Sequence, residues 1–257
     1  MGKNDFSAES AENYEQKCLC VLVLDISGSM RTIVDDSTAK YTGETAIIDG
    51  KKYKLVTGGT ARIDLLNQGL QDFYKEIVSD ETTSQRLEVC IITFNDYVQV
   101  VQTPALPENI TIPTLEADGE TALVDAVNEA IDMVRDRKQW YKDQGLLYYR
   151  PWIILMTDGE PNEGQDIDSL AERIKRDTIA KKYVFLPVGV EGADEDVLRK
   201  IAGDGMKAVK LKGMRFAEFF KWLSASMGTV TKSEEGQKVS FTEGAIGDRG
   251  WMDGFII

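Results

Sequence analysis

The 257-residue chain carries 43 Asp and Glu against 30 Lys and Arg, a formal net charge of −13, and has no histidine. Without histidine there is no Ser-His-Asp or Cys-His nucleophile system, no His-ligated zinc and no HExxH protease, so any general base is a carboxylate, Lys, Tyr or Cys. The acidic balance speaks against nucleic acid as the main partner, and a hydrophobic content of 42% supports a packed core, in one large domain or one domain with appendages.

Residues 1–16 are polar, lack the apolar core of a signal peptide, and read as a flexible tail. Lys17 to Asp25 is a continuous apolar run, as expected of a central strand covered on both faces. It contains Cys18 and Cys20. With Cys90 they make an odd set of three, read as buried small hydrophobes rather than a disulfide framework, which favours a reducing compartment. Residues 31–59 form a polar insertion holding a hairpin around Asp49-Gly50, a strong turn signal. Ile63, Leu66, Leu70, Phe73 and Ile77 fall at helical spacing and predict a helix over 61–79.

Arg86 to Phe94 and Tyr97 to Thr103 read as strands. The short link Asn95-Asp96 makes them an antiparallel pair. Leu123, Val127, Ile131 and Val134 predict a helix over 121–143. Trp152 to Thr157 is a strand, Ile167, Leu170 and Ile174 mark a helix, and Tyr183 to Val190 is a strand. A short helix over 194–203 and a weak strand, Ala208 to Leu211, follow. Phe216, Phe219, Phe220, Leu223 and Met227 stripe a last helix. From 229 the chain becomes a tail whose apolar end, Trp251, Phe255, Ile256 and Ile257, docks on its own domain or on a partner. No run reaches transmembrane length, so no membrane role is expected and cytoplasm is the expected location. The sequon Asn109-Ile110-Thr111 is then silent.

Strands alternating with helices predict an α/β fold with a central, mostly parallel sheet, one antiparallel edge strand, and helices on both faces. Such sheets bind ligands at the carboxyl ends of their strands. Three of those ends carry oxygen donors. The first strand ends in Asp25-Ile26-Ser27-Gly28-Ser29, the loop before the second long helix reads Asp118-Gly119-Glu120-Thr121, and Thr157 is followed by Asp158-Gly159-Glu160. Each has an ordinary reading alone, as a turn or a helix cap. Together, Asp25, Ser27, Ser29, Thr121 and Asp158 form a hard-oxygen set suited to Mg²⁺, with Mn²⁺ or Ca²⁺ as competitors, and leave a coordination position open. Asp35 and Asp36 read as a solvated loop and Glu120, Glu160 and Glu163 as rim charges; with Asp118 they crowd the same end of the sheet. No phosphate-binding glycine loop, dinucleotide fingerprint or nucleophile elbow is present, and no catalytic residue is expected.

DISGSM, then a Gly-x-Thr loop, then TDG, resembles the metal-ion-dependent adhesion site (MIDAS) of von Willebrand factor A (VWA) domains. The resemblance covers roughly residues 17–228 and implies the three-layer, Rossmann-like VWA fold. LNQGLQDF and YYRPWIILMTDGEPNEG are similar to the bacterial tellurium-resistance TerY-type branch. The resemblance implies hydroxyl ligation by Ser27, Ser29 and Thr121. Asp25 and Asp158 would act mostly through waters, and a partner's Glu or Asp would take the open position. It further implies a non-enzymatic, regulatory or scaffold role in a stress-response, tellurite-resistance or phage-defence system, beside a protein kinase or a PP2C-like phosphatase. The alternative is a Mg²⁺-dependent phosphoester hydrolase.

Overall fold

The computed structural model describes residues 13–35, 37–48, 51–158, 160–203, 207–234 and the backbone of 252–255. Asp36, Asp49, Gly50, Gly159, residues 1–12 of the expected tail, and the terminal Trp251, Ile256 and Ile257 lie outside the described residues.

In chain order the strands are β1 (Cys18–Asp25), β2 (Ile33–Asp35), β3 (Lys40–Ile48), β4 (Lys51–Thr57), β5 (Thr60–Ala61), β6 (Leu87–Phe94), β7 (Val98–Ala105), β8 (Trp152–Thr157), β9 (Val184–Gly189), β10 (Val209–Leu211) and β11 (Met252–Phe255). The helices are α1 (Arg62–Ser79), α2 (Glu81–Arg86), α3 (Leu123–Asp143), α4 (Ile167–Ile179), α5 (Glu195–Ile201) and α6 (Phe216–Thr231). A seven-stranded sheet runs β11-β10-β9-β8-β1-β6-β7. Its five central strands are parallel, and β7 is antiparallel to β6. The mostly parallel sheet with an antiparallel edge is thus present as expected. The opposite edge gains β11, antiparallel to β10, from a stretch with no strand-like alternation in its sequence.

The chain leaves β1 for β6 on one side and later returns to β8 on the other. Strand order therefore reverses beside β1, and the carboxyl ends of β1 and β8 border the crevice where open α/β sheets bind ligands. All eight residues of β1 are buried. Cys18, Cys20, Leu22 and Leu24 pack into one core layer with α1 and α6. Leu19, Val21 and Val23 pack into the other with α3 and α4. This two-residue alternation explains a run with no polar face. Cys18, Cys20 and Cys90 are buried free thiols, and burial pushes Cys18 up to about 12. At Gly69 an added Cβ would lie 2.6 Å from Phe220 Cδ2, so the bare backbone is what lets α1 approach α6.

At the amino end of the sheet lies a buried polar cluster. Glu88, in β6, accepts from Arg137 Nε at 2.8 Å, Arg137 Nη2 at 2.6 Å and the Tyr141 hydroxyl at 2.5 Å. Glu88 and Arg137 side chains are wholly buried. Lys17 Nζ donates nearby to the Asn13 and Glu15 carbonyls.

Within residues 31–59, β3 pairs antiparallel with β4, with register Ile48↔Lys51. Below it β2 pairs with β5. Tyr41 and Ile47 are exposed on the hairpin.

Asp80 caps α2 by accepting from the Thr83 N–H at 2.8 Å, and it pairs with Lys232 just beyond α6. The Lys232 ammonium and then the Thr83 donors hold its carboxyl down to about 2. A depressed carboxylate stabilises the fold above its unfolded value of about 4, and the contribution disappears as pH falls through the folded value. Asp80→Asn is expected to melt below the parent at pH 7, by a modest margin because the pair is partly exposed. The gap should shrink between about pH 4 and pH 2. Thermal melts across that window check it, and a gap that does not change with pH would contradict it.

Candidate metal centre

Asp25 is the last residue of β1, and hydrogen bonds hold its carboxylate. Oδ1 accepts from the Ser27 N–H at 2.8 Å and Oδ2 from the Thr157 hydroxyl at 2.5 Å. The first bond tightens the loop so that Ser27 and Ser29 turn to one side, their hydroxyl oxygens 3.0 Å apart. Ser29 Oγ donates to Asp158 Oδ1 at 2.6 Å. Residues from the ends of β1 and β8 thus form one hydrogen-bonded chain of hydroxyls and carboxylates. Asp25, Ser27 and Asp158 are buried.

Thr121 arrives differently from the helix start read in the sequence. α3 begins at Leu123 with Ala122 at its cap, so Thr121 lies in the preceding loop. Two sets of bonds fix that loop. Gly28 N–H donates to the Gly119 carbonyl and Asp118 N–H to the Ile26 carbonyl, both at 2.8 Å, which staples it to the Ser27–Ser29 loop. Thr121 N–H donates to Asn162 Oδ1 at 2.7 Å, and Gln165 Nε2 donates to the Thr121 carbonyl at 2.6 Å, which ties it to the segment after β8. Gly119 makes the turn at φ +76°, where an added Cβ would meet Asp96 Oδ2 at 2.2 Å. Thr121 is itself buried, and its hydroxyl makes no hydrogen bond among the described residues.

Burial, and then the neighbouring Asp158 carboxylate, push Asp25 up to about 7, against the opposing hydrogen bonds from Ser27 and Thr157. Asp158 has a second partner that the sequence did not reveal: Arg62 Nη1 donates to Oδ2 at 2.6 Å. The structure therefore brings Asp25, Ser27, Ser29 and Asp158 into direct contact and staples the Thr121 loop beside them. Asp35, read as a loop residue, ends strand β2 instead; it is exposed, as are Asp118, Glu120, Glu160 and Glu163, with Asp118 paired to Arg31 at 3.3 Å. Among the described residues no group of three or more His, Cys, Asp or Glu converges on a metal position, so this set rests on hydroxyls and two carboxylates. That chemistry fits a hard divalent cation.

The profile of the von Willebrand factor type A domain matches residues 66–220. This chain belongs to that family. The match begins after the insertion and contains Thr121 and Asp158. Among solved structures, the PilB minor pilin from Streptococcus sanguinis superposes with a TM-score of 0.52 at 15% identity, covering 82% of this chain and 62% of that one. Its D319A mutant gives 0.53 at 14% identity, covering 82% and 61%. The chain thus spans about three fifths of those pilin structures. Proximal thread matrix protein 1 from the mussel byssus, with a zinc-occupied MIDAS motif, gives 0.47 at 16% identity, covering 85% and 46%. At these identities the likeness to the pilin structures is one of fold. No curated protein matches the sequence. Among the described residues of this VWA domain, no helix is long and apolar enough to cross a membrane.

Proposed function

We propose that this VWA domain is a non-enzymatic interaction module that captures a carboxylate of a partner protein through a divalent cation. Ser27, Ser29 and Thr121 would hold the cation by their hydroxyls, and Asp25 and Asp158 would orient those hydroxyls and supply negative charge. Mg²⁺ is the expected ion, with Mn²⁺ or Ca²⁺ able to substitute. When bound, the ion supplies a Lewis-acidic position open to a Glu or Asp side chain. The observation that carries this reading is the continuous contact Ser27–Ser29–Asp158 across two strand ends, with Asp25 locking the loop. The protein's own part is positional: hydrogen bonds fix the three loops to one another.

The cellular reading extends the same proposal. The module would serve, in the cytoplasm, as a scaffold or regulatory component of a bacterial stress-response, tellurite-resistance or phage-defence system of the TerY type. A kinase or PP2C-like phosphatase of that system would offer the carboxylate. Affinity capture from cells with Mg²⁺ or with EDTA tests it. The expected result is a specific partner, retained with Mg²⁺, released by EDTA and absent with Asp25→Ala/Ser27→Ala. Undiminished capture by that variant would overturn the reading, and Mg²⁺-dependent turnover of generic phosphoesters would replace it with a hydrolase.

A further inference from the structure

Arg62 is placed where a cation is unfavourable. It is the first residue of α1, an 18-residue helix whose amino end carries positive partial charge. Its side chain is only 11% exposed, and it meets a fully buried carboxylate, Asp158 Oδ2, at 2.6 Å. Its Nε is buried without a hydrogen-bond partner among the described residues. The backbone places it at the junction of insertion and site, since Arg62 N–H donates to the Thr32 carbonyl at 3.1 Å. Gly192, at φ +99°, packs against the same pair: an added Cβ would lie 3.3 Å from the Asp158 carbonyl oxygen and 3.9 Å from Arg62 Nη1. A guanidinium held this way is a permanent positive charge one residue contact away from Ser29.

We propose that Arg62 is a built-in counter-cation that sets the charge of the loaded site, lowering its affinity for the divalent ion and raising its affinity for an anionic ligand. The inference rests on the metal-capture reading above. Two ionised carboxylates, Asp25 and Asp158, cancel a divalent ion. A site of those three charges is neutral and holds an added carboxylate weakly. Arg62 leaves the loaded site with one net positive charge, which an incoming carboxylate neutralises. The same charge repels the ion itself. The two effects have opposite signs, which a merely structural clamp on Asp158 would not produce.

The test is a titration of the full chain with Mn²⁺, followed by paramagnetic resonance of the free ion, and then of the Mn²⁺-loaded protein with acetate, followed by water-proton relaxation. Arg62→Gln keeps an N–H donor for Asp158 and removes the charge. Its expected behaviour is Mn²⁺ binding about tenfold tighter than the parent, a small part of the bare repulsion between a guanidinium and a dication. Acetate binding should weaken several-fold. Arg62→Lys should stay near the parent in both. Arg62→Met, uncharged and of similar length, repeats the measurement if circular dichroism shows Arg62→Gln to be unfolded.

Equal Mn²⁺ affinity in parent and uncharged variants would overturn the proposal, as would both affinities falling together. If the parent binds no Mn²⁺ while Arg62→Gln does, the metal-capture reading fails for the native chain but Arg62 stands as its resident cation. If neither binds, both readings fall.

Discussion

Asp25→Asn is expected to lose about 10–100-fold in Mg²⁺ affinity, the range seen when a group that orients metal ligands is changed. The Asp25 carboxylate pins the Ser27 N–H and accepts the Thr157 hydroxyl, so it fixes the loop that presents both serines. Asparagine keeps the volume and one acceptor oxygen but removes the charge. Without metal the substitution also removes a buried repulsion, because burial and the neighbouring Asp158 already push the Asp25 carboxyl upward. The variant should therefore melt at or above the parent in EDTA. It should then fail to gain the upward melting shift that Mg²⁺ gives the parent through preferential binding to the folded state. Asp25→Ala should lose the same metal response and also be less stable, by about 1–3 kcal/mol, because the Ser27 and Thr157 donors lose their buried acceptor. Calorimetric Mg²⁺ titrations and melts with and without EDTA check all of this. Retention of parent affinity by Asp25→Asn would remove Asp25 from the site. Asp35→Ala, in an exposed strand, serves as the unaffected control.

How much of this was legible in the sequence depends on whether a signal was local. The apolar run of β1 and the helical spacing of Leu66, Leu70, Phe73 and Ile77 report burial directly, so the α/β sheet follows from them. The five oxygen donors were legible because each sits where an apolar strand stops or a helix is about to start. Arg62 was not. Its role depends on where the chain re-enters after the insertion, and no periodicity encodes that. Thr157 was hidden as the last residue of an apolar strand, and Asn162 and Gln165 looked like ordinary loop polarity. Their roles exist only once the Thr121 loop lies against them. β11 was missed because Met252–Phe255 is too short and irregular to show alternation, and its pairing with β10 is decided by the exposed sheet edge. Arg137 did leave a trace: it falls on the same helical stripe as Val127, Ala130, Val134 and Tyr141, where a charged residue needs a buried partner.

That partner leads to the largest expected effect on stability. Glu88→Ala should destabilise the fold by about 3–5 kcal/mol, because it strands the Arg137 guanidinium inside the core rather than removing an ion pair cleanly. Tyr141 would lose its hydroxyl acceptor as well. Replacing both charges, as Glu88→Leu/Arg137→Met, should recover most of that loss, since two apolar side chains of similar size need no solvation. Urea denaturation of the parent and the two variants gives the numbers, and a double variant no more stable than Glu88→Ala would show that the pair is not isolated from its surroundings. The metal response should be untouched in all of them. Glu88 pairs across the sheet with Leu19, whereas the site begins at Asp25, which pairs with Phe94. At ~3.3 Å per residue the two lie roughly 20 Å apart along the same strands. At that separation substitutions add within about 0.5 kcal/mol, so Glu88→Ala combined with Asp25→Asn should show the summed stability change and the metal affinity of Asp25→Asn alone. One end of β1 and β6 would then carry the stability of the sheet and the other its ligand chemistry, and loss of additivity between them would mean that the strands transmit strain from one end to the other.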